Sequence, residues 1–190
     1  MGLNECVGEN GIVSHDCLPI LSQEQAILHQ AAIAIADPTD PQIQTLITAM
    51  FATVHASNGV GLAAPQVGHS LQLIIVASHP NPRYPNAPDL DPFALINPQI
   101  LAHSEAVVPG WEGCLSVPEV RGIVPRWQWV QVAYCDRHGQ PHCHTYDGFV
   151  ARIIQHELDH LQGILFTEHL APGDRYTETD YLASVNSSVC

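Results

Sequence analysis

The hexapeptide Gln155-His156-Glu157-Leu158-Asp159-His160 constrains this chain more than any other stretch. It is an H-E-x-x-H pattern inside a run, residues 149–162, whose spacing predicts a helix closed by Gly163. Residues four apart on a helix share a face, so His156 and His160 present both imidazoles to one metal ion. Glu157 stands beside them, where a carboxylate could take a proton from metal-bound water. The pattern moves the chain from a generic globular domain to a metal-dependent hydrolase, without saying which hydrolase.

The rest of the sequence is consistent with one domain. A chain of 190 residues, 46% of them apolar, can build a hydrophobic core. The formal charge is −13, and all six basic residues are Arg. So acidic a field argues against direct nucleic-acid binding and against an anionic membrane surface. No apolar run approaches the roughly 20 residues of a membrane span, and the opening residues lack the basic and apolar regions of a secretory signal. A cytoplasmic location is expected. The six Cys are scattered without a CxxC pair, which favours reduced thiols over a disulfide framework.

Residues 1–17 lack periodicity and are expected to form a flexible N-terminus. Ser22 with Gln25 fits a capping box and predicts a short helix over about 23–32. Asp40 and Pro41 then open an amphipathic helix over 41–57, with Ile43, Leu46, Ile47, Met50, Phe51 and Val54 on its buried stripe. Residues 71–76 read as a strand, 77–92 as a proline-rich loop, and 93–96 and 99–102 as strand pieces broken at Asn97-Pro98. Residues 127–134 alternate and, across a turn at 136–139, return as 141–146. After Leu170 there is no strong helical pattern, and 171–190 reads as a C-terminal tail. No repeat or linker divides the chain, and this order of elements predicts an α+β class with mostly antiparallel pairing.

H-E-x-x-H supplies two ligands, and a catalytic site usually has three with one position open. Downstream, Glu168, His169 and Glu178 are available. The longer H-E-x-x-H-x-x-G-x-x-H pattern fails, because Phe166 stands where its last His is needed. Upstream, Glu112-Gly113-Cys114-Leu115-Ser116 offers Cys114, whose thiolate is a strong ligand for Fe(II) or Zn(II). A third segment, Gly59-Val60-Gly61-Leu62-Ala63-Ala64-Pro65-Gln66, has small residues that let backbone approach a substrate closely. Gln66 brings an amide donor suited to a developing oxyanion, and the backbone N–H of Leu115 is a candidate second donor. Loss of such a donor costs about 2.7–4 kcal/mol of transition-state stabilisation. His142 and His144 share a strand face near Cys135 and Cys143, a pattern more typical of exposed strand residues than of a second metal site.

These three segments, in this order and near this spacing, resemble the peptide deformylases, and the resemblance covers roughly residues 18–170. It implies small antiparallel β-sheets packed around a central metal-binding helix, with an N-terminal amphipathic helix. It implies a catalytic domain at 18–170 that removes the N-formyl group from the initiator methionine of nascent polypeptides and releases formate. Carried over residue by residue, Cys114, His156 and His160 hold one divalent ion, Fe(II) by preference, with Zn(II), Ni(II) or Co(II) able to replace it. Glu157 is the general base and then the acid, while Gln66 and the Leu115 N–H hold the formyl oxygen. Val60, Gly61, Gly113, Phe149 and Ile153 bind the substrate, which adds as a strand. Glu112 supports the metal ligands, and Arg121 is expected to brace the Glu112 carboxylate. The partners so implied are the N-formyl-methionyl nascent peptide and a transient ribosome contact, with the enzyme a monomer. A zincin-type metallopeptidase is the competing enzyme reading, disfavoured by the upstream position of the Cys. A deformylase-like binding protein without turnover is the other, disfavoured by the presence of Glu157 and Gln66.

Overall fold

The computed structural model describes residues 17–171 and 173–187; the segment expected to be a flexible N-terminus otherwise lies outside the described residues. The class is α+β. Helix α1 (Pro41–Ala56) is followed by β1 (Gly61–Ala63), β2 (Leu73–Val76) and β3 (Phe93–His103). Then come β4 (Val107–Cys114), β5 (Val117–Trp127), β6 (Trp129–Cys135) and β7 (Pro141–Asp147), and next α2 (Gly148–Leu161). The chain closes with β8 (Arg175–Thr177) and α3 (Glu178–Ser187). Two antiparallel sheets form, one in the order β1-β2-β3-β6-β7 and the other in the order β4-β5-β8.

The larger sheet carries a helix on each face. Leu73 and Ile75 pack with Leu46, Ile47, Met50 and Val54 of α1, whereas Ile74 and Val76 pack with Val150, Ala151, Ile154 and Leu158 of α2. Neighbouring residues on a strand point to opposite faces, so a strand sandwiched between two helices reads as an unbroken apolar run rather than an alternating one. That is why 73–76 is Leu-Ile-Ile-Val. A third cluster, with Cys114, Val117, Val124 and Phe166, ties the smaller sheet to the segment after α2. The Gln155 side chain accepts from Trp127 N and donates to Trp127 O, both at 3.0 Å, which fixes the middle of α2 against the end of β5. No described helix is long and apolar enough to cross a membrane.

Several local expectations change in the folded chain. The helix expected over 23–32 contracts to a 3₁₀ turn, Ala26–His29. Ser22 Oγ turns to Glu24 instead of capping, and residues 32 and 33 spend their backbone groups on Leu161, Ser70 and Gln72. The break expected at Asn97-Pro98 is a bulge within one strand. Asn97 adopts φ +51, and its amide both accepts from Ile35 N and donates to Ile35 O at 2.8 Å, standing in for a ladder partner. The strand expected over 127–134 divides at Gln128, whose N–H leaves the ladder for Ser104 Oγ and Ala106 O. The β4–β5 hairpin was not foreseen, because Pro109, Gly110, Gly113, Pro118 and Pro125 interrupt any alternation along it. The stretch expected to be a tail pairs with β5, placing Tyr176 opposite Arg121, and continues into α3.

Candidate active site

Helix α2 starts abruptly from β7. Gly148 has φ +53, with open space where a side chain would stand, so glycine serves here for its backbone freedom. One turn later, Ile153, His156, Glu157 and His160 are all buried. The two imidazoles lie edge to face with centroids 5.1 Å apart. From the end of β4 comes Cys114, whose Sγ lies 3.2 Å from His160 Nε2. The ligand atoms of Cys114, His156 and His160 all fall within 4.8 Å of one another. Among the described residues this is the one such cluster of Cys, His and carboxylate groups; His142 instead pairs with Asp136 at 2.9 Å on an outer strand.

Gln66 closes the cluster from a third direction. Its Oε1 accepts from Ala63 N at 2.8 Å, which turns the amide nitrogen toward Cys114 Sγ at 3.4 Å and Ser116 Oγ at 3.2 Å. The donor expected from the sequence is therefore aimed at the ligand atoms. Gly61 runs directly over Glu157, and any Cβ there would collide with Glu157 Oε1 and with Ile153 Cγ2. Val60, Gly61, Gln66, Glu112, Gly113, Cys114, Leu115, Phe149, Ile153, His156 and Glu157 surround one cavity of about 50 Å³. Of the residues expected at the site, only His160 and Arg121 do not line it.

Glu112 is the buried counter-charge behind the ligands. One of its oxygens lies 2.9 Å from His156 Nδ1, which leaves Nε2 of that ring for the cluster. It also accepts from Arg126 Nε at 2.9 Å and Nη2 at 3.0 Å, and from Arg152 Nη1 at 2.9 Å. Arg126 in turn donates to Asp159 at 2.6 Å, and His169 at the surface reaches the same carboxylate oxygen at 2.8 Å. His169, available in sequence as a metal ligand, thus belongs to this outer chain of charges.

The expected contact between Arg121 and Glu112 does not form. Glu112 stands opposite Gly122 in the β4–β5 ladder. Residues at even separation from Gly122 share its face, so Arg126 reaches Glu112 while Arg121 points to the other side. There Arg121 is almost completely buried. It donates through Nε and Nη2 to Glu178 at 2.5 and 2.9 Å and through Nη1 to the Tyr84 hydroxyl at 2.7 Å. Arg152 and Tyr84 were not foreseen. Arg152 precedes His156 by one helical turn on α2, a spacing that could have drawn attention to it, whereas Tyr84 sits in a proline-rich loop with no local signal.

The electrostatics follow from this packing. Burial alone would push the Cys114 thiol up, but His160 and His156 beside it hold it well below the ordinary range. Burial would lower His156, yet Cys114 and Glu112 raise it well above the usual imidazole range. For Glu112, burial is outweighed by His156 and Arg126, and its carboxyl stays well below normal. Glu157 goes the other way, pushed up to about 7 by burial against the opposing pull of His156 and His160. Its Oε2 and His160 Nδ1 are buried without a hydrogen-bond partner. A thiolate and two imidazoles converging on one point, with an unpartnered carboxylate oxygen nearby, fit a divalent cation. The cation would replace imidazole protons as the charge partner of the thiolate, and the donor set suits Fe(II) or Zn(II).

Comparison with known proteins agrees with this geometry. Residues 17–176 match the polypeptide deformylase family. Peptide deformylase 2 of Nostoc sp. is 50% identical over 167 residues, covering 87% of this chain and 93% of that protein. The crystal structure of a class I type b peptide deformylase from Acinetobacter baumannii with Met-Ala-Ser bound superposes with a TM-score of 0.79 at 45% identity. That alignment covers 81% of this chain and 98% of the other. The Synechococcus elongatus peptide deformylase in complex with actinonin gives 0.73 at 34% identity, over 90% of this chain and 85% of its own. With half of 167 aligned residues identical to those of one such enzyme and the same fold as others, this chain belongs to the peptide deformylase family, metal-dependent hydrolases that remove the N-formyl group from nascent polypeptides.

Proposed function

We propose that Cys114, His156 and His160 hold one divalent ion, Fe(II) by preference, which makes α2 the metal-binding helix of the fold, and that Glu157 is the group that moves protons. Bound there, the ion would act as a Lewis acid and lower the pKa of a coordinated water toward about 7. Glu157, at about 7 and buried in the same cavity, accepts a proton from the attacking water and later gives it to the departing amine. The Gln66 amide N–H and the Leu115 backbone N–H receive the formyl oxygen as it gains charge. Glu112 holds the His156 ring in orientation through Nδ1.

The methionine side chain lies against Val60, Phe149 and Ile153, while the peptide backbone adds as a strand beside Gly61 and Gly113. The metal-ligand cluster is buried and Gly61 runs directly over Glu157, so the site suits a formyl group and excludes longer acyl groups on steric grounds. The observation that carries this reading is the unpartnered Glu157 oxygen in the same cavity as the three converging ligands. In the cell we take the chain to act in the cytoplasm as a monomer. Its −13 formal charge favours only a transient contact with the ribosome.

The test is anaerobic formate release from formyl-Met-Ala-Ser by Fe(II)-loaded protein, with acetyl-Met-Ala-Ser and Glu157→Gln as controls. Release from the formyl peptide alone, falling at least 10²-fold in the variant while metal content is retained, is expected. Equal turnover of the acetyl peptide, or full activity of Glu157→Gln, would overturn the proposal.

A further inference from the structure

The loop that joins β2 to β3 brings Arg83 and Tyr84 to the cavity. It closes on itself. Leu90 N donates to Ser78 O at 3.0 Å, and Ser78 Oγ donates to Pro88 O at 2.6 Å. At its tip, Asn81 Oδ1 accepts from Arg83 N and Tyr84 N at 2.9 and 3.0 Å. These bonds give the loop a compact shape but do not fix it to the rest of the fold. Among the described residues, two hydrogen bonds alone run from residues 79–90 to distant segments. The Tyr84 hydroxyl accepts from Arg121 Nη1 at 2.7 Å, and Arg83 O accepts from the Tyr181 hydroxyl.

Both bonds depend on α3. Tyr181 belongs to that helix, and its first residue, Glu178, accepts from Nε and Nη2 of Arg121. The guanidinium lies 4.6 Å from the centroid of the Tyr181 ring and 5.2 Å from that of Tyr84. The Tyr84 ring stands 5.2 Å from that of Phe149 on the cavity wall. Arg121 also lies against β4, where a Cβ on Gly113 would fall 2.5 Å from Nη1 and 2.8 Å from Cδ and Cζ. One cation therefore touches both the Tyr84 loop and the cavity-lining residue that precedes Cys114. Among the described residues, Glu178 is the one carboxylate paired with it. Without that carboxylate, a guanidinium only 2% exposed has no counter-charge and must shift toward water. The positive charge of Arg83 also acts on Glu178.

We propose that α3 is a positioning element for substrate binding: Glu178, acting through Arg121, and Tyr181 hold the Tyr84 loop and the Gly113 backbone in the arrangement that receives the formylated peptide. The inference rests on the deformylase reading of the cavity. Neither Glu178 nor Tyr181 lines that cavity, so each acts on the substrate through its neighbours. Glu157 and the three metal ligands stay in place. Loosening the tether therefore weakens binding of substrate and transition state alike, which raises KM and leaves kcat.

The experiment compares full-length, metal-loaded wild type with Glu178→Gln and Tyr181→Phe on formyl-Met-Ala-Ser. Each substitution keeps the shape of the side chain and removes one charge or one hydroxyl. The expected result is KM about three- to tenfold higher in each variant, the scale of one lost hydrogen bond, with kcat unchanged. A variant that is merely less stable contains less active enzyme, so its kcat falls while KM stays. Hydrogen exchange supplies a readout that needs no turnover: amides of residues 81–87 should exchange faster in both variants, while those of α2 keep their wild-type protection. Wild-type KM in both variants, a fall in kcat at unchanged KM, or unchanged exchange at 81–87 would overturn the proposal. Absence of formate from the wild type would instead overturn the deformylase reading, and this inference with it.

Discussion

Replacing Glu112 with Gln keeps the shape of the side chain and removes its charge. Glu112 is 3% exposed and meets four nitrogens: Arg126 Nε and Nη2, Arg152 Nη1 and His156 Nδ1. A glutamine has one oxygen to offer, and its NH₂ end turns a donor toward partners that are themselves donors. Two of the four contacts are then lost at about 1.5–3 kcal/mol each for charge-assisted bonds, or about 3–6 kcal/mol together. Arg126 keeps Asp159 as a counter-charge, which moves the expected loss to the lower part of that range. Removal of one partner from a buried ion pair typically costs about 3–5 kcal/mol, in agreement. Against an overall stability of about 5–15 kcal/mol, the variant should be folded but marginal. Urea unfolding in the presence of a chelator, followed by the fluorescence of Trp111 next door, measures this cost without the contribution of the metal. Titration against a competing chelator should separately show the metal held 10–100-fold more weakly, as for other losses of a group that orients a ligating histidine. Arg152→Met in the same protein should recover part of the stability, since it removes a cation that has lost its counter-charge and keeps only carbonyl contacts. A stability loss below about 1 kcal/mol, the range of an exposed pair, together with unchanged metal affinity, would refute the view that Glu112 is the buried counter-charge of the site.

Two further outcomes follow from the same packing. Gly61→Ala should lower kcat sharply with little change in metal content, because the new methyl would displace the Glu157 and Ile153 side chains and leave Cys114, His156 and His160 in place; wild-type formate release from this variant would show that the close approach of β1 to α2 is unnecessary. Hydrogen bonding from Arg121 holds the Glu178 carboxyl below its ordinary value of 4.5. A depressed carboxylate stabilises the fold fully above its unfolded pKa and loses that contribution as pH falls through the folded one. Docking of α3, read from Trp111 emission beside Tyr176 and Tyr181, should therefore weaken below pH 4.5, and Glu178→Gln should flatten that part of the acid transition. An identical acid profile in the variant would rule out this linkage.

What was legible in the sequence is what local spacing encodes. His156, Glu157 and His160 lie within one helical turn or so, and a helix places them on its buried side whatever packs around it. The capped amphipathic α1 and the β6–β7 hairpin are also short-range, and residue pattern suffices for both. Cys114 and Gln66 were recognisable as segments of a known order, although the 3.4 Å contact between them spans 48 residues of chain. Arg121 and Arg126 show where such reading stops. Either arginine could be assigned to Glu112 from the sequence. Only the register that sets Glu112 against Gly122 puts Arg126 on its face and Arg121 on the other, because strand side chains alternate and a shift of one residue exchanges the two. Likewise the stretch after Ala171 offers only the reciprocal cap of Thr177 and Asp180 as a local signal, since β8 and the seating of α3 depend on distant partners: Val120, Arg121 and Gly122 in the ladder, and Tyr84 and Trp111 against Tyr181. The sequence alone therefore determined the helix that carries His156, Glu157 and His160 and the side chains it offers, which need only the periodicity of one element. The tertiary structure decided which arginine meets the Glu112 carboxylate and which segment packs beside the cavity, because those depend on register and packing between segments far apart in the chain.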